Sequence, residues 1–113
     1  MSDVLQGLVE LLEPTEIGEN TFRGETQDLG FRALFGGQVM AQSLSSALKT
    51  LPEGDWHAHS FHVYFMLAGT VTDHLEFEVD RLRDGRSFCT RQVKAIQNGR
   101  AILTMICSFQ QTE

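Results

Sequence analysis

The sequence predicts an α+β domain in which one long antiparallel sheet wraps a single central helix. Three observations predict it. The segment 36–51 has helical apolar spacing but only one charge, Lys49, so it needs cover on most of its sides. Beyond residue 56, long runs alternate apolar and polar residues at the period of a strand. Two dipeptides, Asp84-Gly85 and Asn98-Gly99, break those runs as hairpin turns, which makes the last three strands antiparallel neighbours. With 113 residues, 42% of them apolar and 21% charged, the chain is sized for one domain, 1–113, that buries a core without disulfide staples.

At the N-terminus, Asp3 is placed to cap a short helix whose Leu5, Leu8, Val9 and Leu12 recur at the 3.6 period, and Pro14 closes it. Residues 15–25 read as a hairpin or bent edge strand around Ile17 and Phe22, turning at 18–20. From 26 to 35 no period is present, so Gln27, Asp28, Leu29, Gly30 and Arg32 fall in a loop free to carry function. Gly36 and Gly37 open the helix, Met40, Leu44, Ala47, Leu48 and Leu51 form its apolar face, and Pro52 ends it. Strand alternation over 57–67 puts His59, Phe61, Val63, Phe65 and Leu67 on one face, with Ser60, His62, Tyr64 and Met66 on the other. Over 74–83 it turns Leu75, Phe77 and Val79 inward and Glu76, Glu78 and Asp80 outward. Strands 86–97 and 100–110 complete the meander. One uncharged helix wrapped by such a sheet is the hotdog arrangement.

A net charge of −6 makes nucleic acid and anionic membrane poor partners. The distribution is uneven: six of the nine cations, Arg81, Arg83, Arg86, Arg91, Lys94 and Arg100, lie between 81 and 100, where Asp84 is the only acid. Such a patch suits a polyphosphate ligand, or it simply guards strand edges against aggregation. Cys89 and Cys107 sit in apolar runs and read as reduced, buried thiols, and no Cys or His pair has metal-site spacing. Without a secretory apolar segment or a run of roughly 18 apolar residues, the expectation is a soluble cytoplasmic protein.

Several stretches carry a resemblance when taken in order: Phe22-Arg23-Gly24, Asp28-Leu29-Gly30 with Arg32, Phe35-Gly36-Gly37-Gln38-Val39, His59-Ser60-Phe61-His62 with Tyr64-Phe65, Leu82-Arg83-Asp84-Gly85 with Ser87-Phe88, and Gln97-Asn98-Gly99. Together they resemble the acyl-CoA thioesterase II family across nearly the whole chain. The resemblance implies hydrolysis of fatty acyl-CoA to free fatty acid and coenzyme A, with no cofactor and no metal. Family members typically carry two hotdog repeats, and this chain resembles the first. A homodimer, a higher oligomer or a pairing with a second hotdog subunit is therefore expected. The family's water-orienting Asp, Thr and Gln belong to the second repeat; by repeat correspondence the Asp position falls near Ser60 and the Gln position near Gln110. Leu67-Ala68 stands where the family usually has Arg-Pro.

Thioester hydrolysis requires an activated water and a positive dipole aimed at the oxygen that gains charge. The backbone N–H groups of Gly37, Gln38 and Val39, at a helix N-terminus, match the second need, and glycine admits close approach. The competing account is that two glycines only ease entry into a buried helix. Candidates for the base are His59, His62, Asp28 and Glu25, with His59 the catalytic histidine if its face is the inner one; a hydrogen-bonded core histidine is the alternative. Asp28, Arg83, Ser87 and Arg91 are the expected substrate-binding residues, the last three holding coenzyme A phosphates. Three functions compete: a thioesterase working within an assembly, a non-catalytic acyl-CoA-binding or scaffold half, and a dehydratase. The last needs an acid on the central helix, and 36–51 contains none.

Overall fold

The computed structural model describes residues 12–26 and 36–112. Its elements are β1 (Thr15–Gly18), β2 (Thr21–Gly24), α1 (Gly36–Leu48), β3 (Trp56–Phe65), β4 (Leu75–Asp84), β5 (Phe88–Gln97) and β6 (Arg100–Gln111). The six strands form one antiparallel sheet in the order β1-β2-β4-β5-β6-β3, with α1 packed on its inner face. This is the expected hotdog architecture. The proposed N-terminal helix over 3–12 and the loop carrying Asp28 lie largely outside the described residues.

Local chemistry accounts for the hairpins. Asn20 (φ 56°) turns β1 into β2, and Asn98 (φ 53°) with Gly99 (φ 75°) occupies both left-handed positions of a two-residue turn between β5 and β6. Alternation in β4 sends Leu75, Phe77 and Val79 into the core and leaves Glu78 and Asp80 exposed, as expected. Phe22, Phe77, Val93, Leu103, Met105 and Phe109 form the centre of the core, each 1% exposed or less. Among the described residues no helix is long and apolar enough to cross a membrane.

The helix corrects one expectation. It ends at Leu48 rather than Leu51, and its buried residues are Gln38, Val39, Gln42, Ser43, Ser46 and Ala47. Met40 and Leu44 are only partly buried, and Leu48 is 40% exposed. The inner face of the sheet already carries bulky rings, so a helix surface of slim side chains packs closest against it. Several of its polar groups find partners as it does so, although among the described residues Gln38 Oε1 and Ser43 Oγ do not. Ser46 Oγ donates to the Gln42 carbonyl at 2.9 Å, and the Gln38 and Gln42 amides donate to the Glu25 carbonyl at 3.2 and 2.9 Å. Gly24 makes room for this reach, because a Cβ there would stand 2.7 Å from the Phe77 ring and 3.0 Å from Gln42 Nε2.

A second correction concerns β3. Its register against β6 shifts between Ala58 and Ser60, a bulge that takes His59 out of the alternation. His59 is exposed, bonds Ser108 Oγ through Nε2 at 2.8 Å, and meets the Phe88 ring edge-on at 5.6 Å. It therefore lies on the outer face of the sheet, with His62 and Tyr64, and not beside Phe61 and Val63.

Candidate functional site

The sequence 36–39 begins a helix with two glycines, so the first turn has no bulky side chain and its amides have no intrahelical acceptors. Beside Gly36 the chain leaves β3 and crosses toward β4. A Cβ on Gly36 would stand 3.0 Å from the Phe65 ring, so glycine permits that approach. Between them opens a cavity of about 410 Å³, bordered by Gly36, Val39, Phe65, Leu67, Ile102 and Leu103 among others. Its described lining is entirely apolar or glycine. Phe65, Met66 and Leu67 are 59%, 49% and 47% exposed, too much for a finished core.

The far wall of this groove is held by a residue whose role the sequence did not disclose. Gln97, 5% exposed, accepts a hydrogen bond from the Thr70 N–H at 2.7 Å and donates to the Thr70 and Asp73 carbonyls at 2.9 and 3.0 Å. Asp73 in turn accepts from Thr70 Oγ1 and Asn98 Nδ2, both at 3.0 Å, and these bonds hold its carboxyl below the usual range. The Gln97-Asn98-Gly99 run thus pins the loop after β3. Its place in the resemblance was the only available signal.

Gly37 is exposed in the first turn of α1. The Gln38 side chain is buried, its Nε2 donating to the Glu25 carbonyl. His59 lies on the opposite face of the sheet from α1. Asp28 lies outside the described residues.

Arg91 overturns the reading that it holds phosphate. It is 0% exposed, and its guanidinium is fully engaged: Nε donates to Thr50 Oγ1 at 2.7 Å, Nη2 to the Thr50 carbonyl at 3.3 Å and to Asp84 at 2.5 Å, and Nη1 to the Arg83 and Thr90 carbonyls at 3.0 and 3.1 Å. The planar fork ties the chain just beyond α1 to the bulge in β4, a geometry that lysine could not supply. The hydrogen bond from Arg91 holds the Asp84 carboxyl low. Cys89 and Cys107 are free and buried as expected, with the Cys107 thiol pushed up to about 11 by burial. Neither is poised as a nucleophile.

Arg83 is exposed and Ser87 half-buried at the β4–β5 hairpin, so both can meet a ligand. They are nevertheless remote from the groove. Phe88 pairs with Gln110 at the start of β5, whereas the groove opens at Leu103 seven residues down β6, about 24 Å away along the strand. One copy of the fold does not bring the hairpin cations to its own helix N-terminus.

A family model for the acyl-CoA thioesterase N-terminal domain matches residues 22–110. The chain is 47% identical over 113 residues to acyl-CoA thioesterase 2 of Haemophilus influenzae, covering 100% of this chain and 39% of that protein. Against human acyl-coenzyme A thioesterase 8 the identity is 41% over 113 residues, covering 100% of this chain and 34% of the relative. The crystal structure of an acyl-CoA thioesterase II, TesB2, from Mycobacterium marinum superposes with a TM-score of 0.82 at 38% identity, covering 95% of this chain and 39% of that one. The chain thus spans well under half the length of the relatives it matches.

Proposed function

The chain belongs to the acyl-CoA thioesterase N-terminal domain family, and from that premise we propose that it is one hotdog half of an acyl-CoA hydrolase. The observation that carries this is the apolar groove at the α1 N-terminus, which ends against the unpaired edge of β3. Beside it Phe61 and Phe65 are 47% and 59% exposed. A second hotdog half, or a second copy of this chain, adds its own strand to that edge and covers those rings.

Antiparallel pairing across β3 has a further chemical consequence. It sets the partner's β4–β5 hairpin, with Arg83 and Ser87 or their counterparts, beside this chain's groove, so the coenzyme A phosphates are held from across the interface. The acyl chain lies along Val39, Phe65 and Ile102. The Gly37 amide, at the positive end of α1, donates to the carbonyl oxygen as it becomes an oxyanion. Water adds to the carbonyl carbon, losing a proton to a base. Collapse of the tetrahedral intermediate expels the coenzyme A thiolate, which takes up a proton. None of the described groove residues is a carboxylate or histidine, and Ser60 cannot serve as a base, so that group is either Asp28, which precedes α1 in the sequence, or one from the partner half.

The same observation favours a second reading, a half that binds acyl-CoA without turning it over. The test is to measure thioester cleavage by the purified chain, alone and combined with a second hotdog half, across a panel of acyl-CoAs, beside calorimetric binding of a thioether analogue that cannot be cleaved. Turnover that falls about a hundredfold or more in Gly37→Val, and little in His59→Gln, supports the hydrolase. Binding without turnover identifies the non-catalytic half. Neither binding nor turnover refutes both.

A further inference from the structure

The outer face of the sheet carries a pattern that the acyl-CoA groove does not use. Strand pairing aligns its residues in rows. His62, Ile106, Gln92 and Asp80 form one row across β3, β6, β5 and β4, and Tyr64, Thr104, Lys94 and Glu78 form the next. At the β3 side this face is aromatic and imidazole: Tyr64 is 70% exposed and Ile106 41%, with His57 and His62 also exposed. At the β4 side it is acidic, with Glu76, Glu78 and Asp80 in line. Between β4 and β5 the surface sinks into a concavity of about 230 Å³ bordered by Glu78, Asp80, Gln92 and Lys94.

Knob and hollow therefore lie on one face, in the same rows and on opposite sides of the β5/β6 boundary. From this we infer that the outer face is a self-association surface whose occupant is a second copy of this chain, packed sheet to sheet about a two-fold axis along that boundary. The symmetry argument is explicit. A two-fold parallel to the strands keeps each row in place and exchanges its ends, so β3 lies over the second copy's β4 and β6 over its β5. His62 then meets the second copy's Asp80, Tyr64 enters its hollow beside Glu78, and Ile106 packs on Gln92, twice over. An imidazole keeps at least one N–H donor in either neutral tautomer, and the tyrosine hydroxyl supplies another, so both carboxylates gain donors. Lys94 sits beside Glu78 in its own row and faces Thr104, where no like charge opposes it.

Four strands spaced ~4.8 Å apart, over about eight residues of ~3.4 Å each, present a footprint of roughly 500 Å² per copy. A standard stable interface takes about 800 Å² per partner. The association is thus reversible and concentration-dependent, and local complementarity must overcome mutual repulsion between chains of net charge −6.

Charge exchange, followed by sedimentation velocity over a micromolar concentration series, tests this contact. His62→Asp sets acid against Asp80, and Asp80→His sets imidazole against His62; each should weaken self-association about tenfold or more. The combined variant restores the opposite pairing and should recover most of the loss. Both changed positions are exposed, and circular dichroism melts of the three variants verify that the fold is kept. The proposal is overturned if either single change leaves the association constant unmoved, or if the combined variant stays as weak as the singles. Edge pairing at β3 does not bring His62 to Asp80. A dimer that Phe61→Glu dissociates but the charge exchanges do not would leave the edge reading standing and refute the sheet-face one.

Discussion

Replacing Arg91 by Leu should unfold this domain far more readily than replacing any of its exposed arginines. Breaking one partner of a fully buried ion pair costs about 3–5 kcal/mol. Here the figure must be reduced, because the Asp84 side chain is 44% exposed and rehydrates when its partner goes. What remains is the cost to the Thr50, Arg83 and Thr90 carbonyls and the Thr50 hydroxyl, each about 1 kcal/mol when a buried hydrogen bond is lost. The expected loss is therefore about 4 kcal/mol. For a domain of this size that lowers Tm by about 16 °C, taking ~4 °C per kcal/mol. Differential scanning calorimetry on wild type, Arg91→Leu and Arg91→Lys reads it directly, and lysine should recover little because a single ammonium cannot bridge the divergent carbonyls. A Tm within about 2 °C of wild type in Arg91→Leu, accompanied by weakened coenzyme A binding, would refute the clamp and reinstate Arg91 as a ligand contact.

Two other outcomes follow from the same structure. The depressed Asp84 carboxyl contributes stability that is fully present above its unfolded value of about 3.9 and is lost as pH falls through its lower folded value. Asp84→Asn should accordingly lower urea midpoints at neutral pH and flatten their fall below about pH 4; an unchanged acid limb would remove Asp84 from the account. Gly24→Ala should cost about 1–3 kcal/mol, since its methyl would crowd the Phe77 ring and the Gln42 amide, and a thermal melt matching wild type would show that the packing there yields freely.

The sequence by itself determined the architecture, because the features that build it act over short range. Asn98-Gly99 specifies its turn through backbone conformations that those two residues tolerate, and the alternation Leu75, Phe77, Val79 orients β4 whatever packs on it. The family resemblance was legible in the same way, as was the helix opening at Gly36-Gly37. Tertiary structure decided which residues face what. One bulge residue in β3 sent His59 to the outer face, since a period of two offers no warning of an inserted position. The helix buried its Gln and Ser residues because the opposing sheet was already filled with large rings, a fact held in residues tens of positions away. Arg91 looked like one cation of a charged strand until folding brought Thr50, 41 residues earlier, against it. Charge patterning reports residue type, and only the assembled neighbours decide whether a guanidinium meets water, a ligand or the protein's own carbonyls.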